Sequence, residues 1–317
     1  MGPHMFVEVN QALERIRATG WLNSSEWPTS AQISPADVDL SEAEGRLFRA
    51  TPADEMDVER LDGLARLAGL ELAIEHYPVI DSTNRLLMQR MQAEPTGNLL
   101  VVCDYQRAGR GRRGRQWISP YARSLAFSYA HASSKALHEF GGLSCVVGLA
   151  VLDVLIDLGV EGARLKWPND VWIQGSKLAG ILVELANRGS STIAVIGLGM
   201  NIALTPEERA AVDQPIADLL SRGVAVDRNS LLMAFVEKMA SYLRHFEHSG
   251  FEAFRSAFDA VHLLHRRDVV VHSATEGKSL LTHGSVEGVG GSGQLLIRTS
   301  RGLEEMLGGE VSLRPAD

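Results

Sequence analysis

Gly109-Arg110-Gly111-Arg112-Arg113-Gly114-Arg115 sets three glycines among four arginines with no acid to balance them. Such a segment cannot be core. Glycine frees the backbone and lets it approach a ligand closely, while guanidinium groups offer paired donors to phosphate or carboxylate oxygens. The letters also satisfy G-x-G-x-x-G, but a dinucleotide fingerprint needs strand, loop and then helix, with an acid about 20 residues on. Here apolar runs flank the loop on both sides, Leu99 to Asp104 and Leu125 to Ala130, and no acid stands near position 134. A kinase glycine-rich loop would suit strand, loop, strand, yet neither a catalytic-loop nor a D-F-G signature is present. A P-loop fails at Gly277-Lys278-Ser279, where His272 occupies the place of the first glycine. The segment therefore reads as an anion-binding loop between two strands or, more plainly, as a solvated basic patch or nucleic-acid contact.

The 317 residues around it are enough for two or three domains. With 31 Lys and Arg against 39 Asp and Glu, the formal charge is −8. That balance argues against a protein whose main business is coating nucleic acid or anionic membrane. A composition of 45% hydrophobic and 22% charged residues is globular and excludes disordered, collagen-like and coiled-coil classes. The two cysteines, Cys103 and Cys145, are too few and too far apart for a disulfide framework or structural zinc, which points to a reducing cytoplasm. The longest strongly apolar stretch, Leu143 to Leu152, is ten residues before Asp153 interrupts it. A spanning helix needs about 20, so no membrane segment is expected. Met1-Gly2-Pro3-His4-Met5 reads like a cloning remnant, and no basic-then-apolar leader is expected.

The negative charge is uneven. Residues 26–59 hold nine acids against Arg46 and Arg49, together with Pro28, Pro35 and Pro52, which predicts short elements joined by turns on an acidic face. A helix is predicted before it, from Asn10 as cap through Leu13 and Ile16 to Gly20, and another after it, through Leu61, Leu64 and Leu67 to Gly69. From Ile74 to about Ala203 strands alternate with tight turns and two helices, the longer running from Leu137 to Leu158. Val171 to Gln174, Lys177 to Ala186 and Ser191 to Met200 read as a meander. Helices are expected from Pro206, behind a Thr205–Glu208 capping box, and from Asn229 to Glu247. Beyond Asp268, the pieces Val269 to Val271, Gly284 to Glu287, Leu295 to Arg298 and Val311 to Leu313 predict a small β-barrel.

Three further motifs carry chemistry. In Lys166-Trp167-Pro168-Asn169-Asp170, proline fixes the backbone, and Asn169 and Asp170 suit a turn; the plain reading is a β-turn with a packed tryptophan. Lys177 then opens an apolar strand that contains Gly180, and its ammonium either snorkels to solvent or meets an anion in a cleft. Asp81-Ser82-Thr83-Asn84 opens a helix bearing Leu86, Leu87 and Met91, as a cap or as hydroxyls and an amide for a neutral polar ligand. Gly197-Leu198-Gly199-Met200-Asn201 ends a strand. It is either a sharp turn or a place where a flat ring nears the backbone and an asparagine faces a base edge.

Taken together, these motifs resemble the biotin protein ligase family. Asp81 to Asn84, Gln106 with Ala108 to Arg115 and Trp117, Lys166 to Asp170, Lys177 to Glu184, Gly197 to Asn201 and the closing Gly308 to Arg314 follow its order and approximate spacing. The resemblance implies an α+β fold: a mixed-sheet, class II synthetase-like catalytic domain over 71–265 and a small C-terminal SH3-like β-barrel over 266–317. A short helical or α/β N-terminal segment would cover 6–70. It implies ATP-dependent ligation of biotin, through biotinyl-5′-AMP, to a lysine of a biotin carboxyl carrier domain of acetyl-CoA carboxylase or a related carboxylase, with ATP and Mg2+. By the same resemblance, Arg110, Arg112 and Lys177 would be the catalytic cations, with Lys177 bridging the biotin carboxylate and the α-phosphate. They would bind biotin together with Ser82, Thr83, Asn84, Gln106, Gly111 and Gly180. Arg113, Arg115, Trp117, Lys166, Asn169, Asn201 and Arg314 would bind ATP or the adenylate, and Asp170 would touch magnesium. The loop would be mobile when empty and ordered when occupied.

Many bacterial members are also repressors with an N-terminal winged helix-turn-helix, and family members often pair through the catalytic sheet, which makes a homodimer one assembly to expect. The N-terminal segment here has the right length for such a unit but lacks a recognition-helix pattern of small, hydroxylated and basic residues. Its surplus of seven acids opposes phosphate contact, so DNA binding is not expected. A bifunctional ligase and repressor is the alternative. A lipoate or octanoate ligase on the same scaffold is the second, against which the arginine-rich loop speaks.

Overall fold

The computed structural model describes residues 6–30, 32–50, 53–93, 98–188, 191–275, 278–307 and 311–315. Helix α1 (Val7–Thr19) buries Val9, Ala12, Leu13 and Ile16 along one face and stops at Gly20, whose left-handed backbone (φ 87°) returns its N–H to Ile16. Asn10, expected as the cap, lies inside this helix, because burial of Val9 extends it by a turn; Phe6 holds the cap position. The Asn10 amide instead donates to the Val79 carbonyl (3.3 Å) and accepts the Val79 N–H (2.9 Å). Strands β1 (Trp21–Asn23), β2 (Ser41–Ala43) and β3 (Arg46–Phe48) form an antiparallel sheet in the order β1-β3-β2. At three residues each, they are too short for alternation to reveal. Helix α2 (Val58–Leu67), capped by Asp57, packs Leu61 and Ala65 into the main core.

The main sheet follows. It comprises β4 (Ala73–Ile80), β5 (Leu99–Gln106), β6 (Ser124–Ser133), β7 (Ala163–Lys166), β8 (Asp170–Ile173), β9 (Ser176–Arg188) and β10 (Ser191–Asn201). The order is β4-β5-β6-β10-β9-β8-β7; β4 and β5 are parallel and every other pair is antiparallel, giving the expected mixed sheet. Helix α3 (Thr83–Ala93) covers one face, through Leu86, Leu87 and Met91. On the other face lie α4 (Leu143–Asp157) and α6 (Arg228–Ser249), with the short α7 (Arg255–Val261) beside them; the short α5 (Pro206–Ala210) follows β10. The single helix expected from Leu137 to Leu158 is broken: a 3-10 turn over Leu137–Phe140 ends at Gly141, and α4 restarts behind Gly142 (φ 76°). The break makes room, since a Cβ at Gly142 would stand 2.4 Å from the Phe251 ring. Leu137–Asp157 is long and apolar enough to cross a bilayer by composition, but two-thirds of its most apolar window is buried in the fold, as in a core helix.

Strands β11 (Asp268–Thr275), β12 (Lys278–Val289), β13 (Leu295–Thr299), β14 (Gly302–Met306) and β15 (Val311–Pro315) build a five-stranded antiparallel sheet in the order β14-β13-β12-β11-β15. Its strands outrun the short pieces predicted, while its composition matches the small β unit expected. Val269, Val271, Val286, Val289, Leu295 and Ile297 join the main core, and the Trp167 indole donates to the Gly293 carbonyl (2.9 Å).

Candidate functional site

The centre of the main sheet, β9 and β10, carries two cavities, and the segment between β5 and β6 arches over both. That segment contains the glycine–arginine loop. Its neck is closed by Trp117 N–H donating to Gly109 (2.9 Å) and Gly111 N–H donating to Arg115 (2.7 Å), with Arg113 (φ 58°) and Gly114 (φ 72°) turning the tip.

The narrower cavity, about 50 Å3, is lined by Ser82, Thr83, Asn84, Gln106, Arg110, Gly111, Lys177, Gly180 and other residues. Its polar end is pre-arranged. Gln106, at the end of β5, accepts the Thr83 N–H (3.0 Å) and hydroxyl (3.3 Å), and the Ser128 hydroxyl shares its one proton between Thr83 (2.8 Å) and Asn84. Asn84 accepts from Ser128 and donates to the Leu182 carbonyl (3.3 Å) and Glu184 (3.0 Å). Asn84 can sit there because residue 197 is glycine: a Cβ would fall 2.2 Å from its amide oxygen. Gly199 does the same for Trp117, whose ring would lie 2.5 Å from a Cβ.

The wider cavity, about 380 Å3, is lined by Arg112, Arg113, Arg115, Trp117, Lys166, Asn169, Asp170, Trp172, Lys177, Asn201 and the segment after α5. Lys177 Nζ stands 2.8 Å from Asp170 Oδ1 and 5.5 Å from the Trp117 ring centre. The Lys177 backbone pairs with the loop after α5, donating to Pro215 and accepting from Ala217 (both 2.9 Å). Arg112 donates to the Asn169 amide oxygen (3.1 Å), and the Asn169 nitrogen donates to Ile181 (2.7 Å). Burial, with Arg113 beside it, holds the Arg112 guanidinium below its ordinary range. Arg110 makes a two-pronged pair with Glu184 (3.0 and 3.2 Å).

Of the residues singled out from sequence, Gly111, Trp117 and Lys177 line both cavities, and the rest fall in one or the other except Arg314. Arg314, on β15, pairs with Val270 of β11, and its side chain lies outside the described residues, as do Gly308 to Glu310. Asn201 spends its amide donor on the Ala217 carbonyl (2.9 Å), and Asn169 spends both amide atoms within the chain. Two residues escaped the sequence reading. Trp172 lines the wider cavity beneath Lys166 (4.5 Å to the ring centre), and Glu184 holds Arg110 and Asn84 at once. Glu184 ends the quoted Lys177 motif, and a lone acid in that apolar strand was the available signal. The Trp117 and Trp172 indole nitrogens are buried donors without a hydrogen-bond partner, placed where a ligand acceptor would satisfy them.

The Biotin/lipoate A/B protein ligase family matches residues 76–201, the stretch that carries most of both cavities. The Bifunctional ligase/repressor BirA of Escherichia coli K12 is 35% identical over 255 residues, covering 80% of this chain and 77% of the relative. The Biotin--[acetyl-CoA-carboxylase] ligase of Paracoccus denitrificans is 32% identical over 237 residues, covering 73% of this chain and 96% of the relative. Among solved structures, the biotin protein ligase from Aquifex aeolicus in complex with biotin and ATP superposes with a TM-score of 0.63 at 27% identity, covering 77% of this chain and 99% of that one. Likeness over such spans, in sequence and in fold, places the chain in the biotin protein ligase family.

Proposed function

We propose that this chain activates biotin with Mg-ATP and passes the biotinyl group to a lysine of a biotin carboxyl carrier domain. The observation that carries the reading is the Lys177 ammonium on the wall shared by the two cavities. Biotin would occupy the narrower one, its polar head against Ser82, Thr83, Asn84 and Gln106 and its carboxylate toward Arg110, Arg112 and Lys177. ATP would occupy the wider one, against Arg113, Arg115, Trp117, Lys166, Asn169 and Asn201, with Arg314 assigned by resemblance alone. A carboxylate oxygen attacks the α-phosphorus and pyrophosphate leaves; the carrier amine then attacks the acyl carbon, loses a proton and releases AMP. Two anions must meet in the first step, so Lys177 and the half-buried Arg112 offset their repulsion and stabilise charge growing on phosphorus. Gly111 and Gly180 leave space for that meeting.

Magnesium would neutralise phosphate charge. Such ions keep several waters and need one or two protein carboxylates, a demand that the half-buried Asp170 fits.

The test is incubation with biotin, Mg-ATP and a biotin carboxyl carrier domain, read by avidin blot. Label that requires both small molecules is expected; label from lipoate or octanoate with none from biotin overturns the assignment. The name of the Escherichia coli relative keeps a repressor role in view. Against it, several acids of the 26–59 stretch are engaged by arginines of the chain and the stretch keeps its surplus of acid, a poor phosphate contact. No shift of operator-like DNA is expected with biotin and ATP present, and a shift would establish the second activity.

A further inference from the structure

One contact between the N-terminal unit, here the segment that carries α1 and β1 to β3, and the rest leads straight to the wider cavity. Arg123 precedes β6, and its half-buried guanidinium is shared between two carboxylates. On one side Nε donates to both Glu208 oxygens (2.9 and 3.2 Å) and Nη2 to Oε1 (2.7 Å); on the other, Nη1 donates to Asp39 of the N-terminal unit. Glu208 belongs to α5, where it accepts the Thr205 N–H (2.8 Å) in the capping box, and it lines the cavity. The chain beyond it, Ala211 to Gln214 and Ile216, forms the cavity wall and ends by pairing with the Lys177 backbone through Pro215 and Ala217. The wall is thus fixed at two points, by Arg123 at its start and by Lys177 at its end. The Arg123 carbonyl also accepts the N–H groups of Ile202 and Ala203 (both 3.0 Å), next to Asn201.

We infer that Arg123 is a positioning residue through which the N-terminal unit braces the nucleotide wall, so that Asp39 and Arg123 set the affinity for ATP without touching it. The identity of the ligand rests on the function proposed above. Removing the guanidinium leaves Asp39 and Glu208 facing each other with no cation between them, and frees the start of the wall. The narrower cavity includes none of residues 208–216 and meets that wall through Lys177, so its ligand is expected to be affected less than ATP.

The full chain and its R123A, R123K and D39N variants are compared in two ways: Mg-ATP affinity from tryptophan fluorescence, and KM values in biotin-dependent pyrophosphate exchange. R123A is expected to weaken ATP binding about five- to tenfold, the scale of a residue acting through a wall rather than by contact. D39N, which keeps Glu208 paired, is expected to weaken it about two- to threefold, as for a half-exposed ion pair. R123K should recover part of the loss, kcat and the KM for biotin should stay within about twofold, and R123A/D39N should be no worse than R123A. Wild-type ATP affinity in both R123A and D39N overturns the inference, as does an equal loss for ATP and biotin. If R123A fails to fold, D39N decides alone. A wild-type chain that binds ATP but performs no biotin-dependent exchange sinks the proposed reaction and leaves this inference standing; one that binds no ATP sinks both.

Discussion

Residues 26–59 and residues 109–115 are the most acidic and the most basic stretches discussed, and the fold treats their charges in opposite ways. Several of the acids are spent inside the chain: Glu55 on Arg17 and Arg49, Asp39 on Arg123, and Asp54 on the Arg228 backbone. Met56, beside them, donates to the fully buried Asp104, which also holds Arg228 (3.0 Å) and His76 (2.7 Å). In the loop, Arg110 meets Glu184, but the half-buried Arg112, among the described residues, donates to the Asn169 amide oxygen and to no carboxylate. Segment charge alone therefore says little. Where the chain supplies the counter-charge, the stretch serves assembly; where a desolvated cation is left to a neutral partner, the site awaits an anion.

If this contrast holds, damage to the first kind of pair should cost stability, and damage to the second should cost rate. The largest effect is expected from Asp104→Asn, which strands the buried Arg228 and should lower unfolding free energy by about 3–5 kcal/mol in urea melts. Burial pushes the Asp104 carboxyl up, but His76 and Arg228 outweigh it and hold the group below the usual carboxylate range. Stability from such a group is present above the unfolded value and lost as pH falls through the folded one, so the variant should lack that part of acid unfolding. Next, Lys177 marks the limit of the contrast, since its ammonium meets Asp170 (2.8 Å) yet stands on the wall shared by the two cavities: Lys177→Ala should slow biotin-dependent pyrophosphate exchange by on the order of 10²–10³ with little change in Tm. Normal exchange in that variant would refute its role. Third, biotin with ATP should protect the Arg110–Arg115 bonds from trypsin, and equal cutting with and without ligands would count against a loop waiting for an anion.

The smallest effect sharpens the rule at a buried group with no hydrogen-bond partner on either ring nitrogen. His262 lies between α7 and β11, stacked on Phe258 (5.3 Å between centroids). Burial and then His265 push its pKa from 6.5 down to about 3. A depressed histidine gives its full stability above pH 6.5 and loses it progressively toward the folded value, so going from pH 7.5 to 5.5 should cost about 1 kcal/mol. His262→Phe should keep the stack and lack that loss; matching pH profiles would show that the ring finds a partner in solution.

The sequence made the site more legible than the scaffold that holds it. Ser82, Gln106 and Lys177 are scattered along the chain yet line one cavity, because their motifs sit at strand and helix ends that the sheet brings together. Periodicity also found α1, α2, α6 and the strands on either side of the loop. It missed what depends on distant partners. Asn10 looks like a cap until Val79 claims its amide, and an apolar run looks like one helix until Phe251 and the break at Gly141 and Gly142 are seen together. Arg123 gave no local signal, since it matters through carboxylates far along the chain.

Gly111, Trp117 and Lys177 belong to both cavities, so the two chambers have a common partition rather than separate walls. Whatever fills one chamber shapes the surface offered to the other. Thermodynamic reciprocity then requires that any gain in nucleotide affinity caused by the acid be matched, factor for factor, by a gain in affinity for the acid caused by the nucleotide.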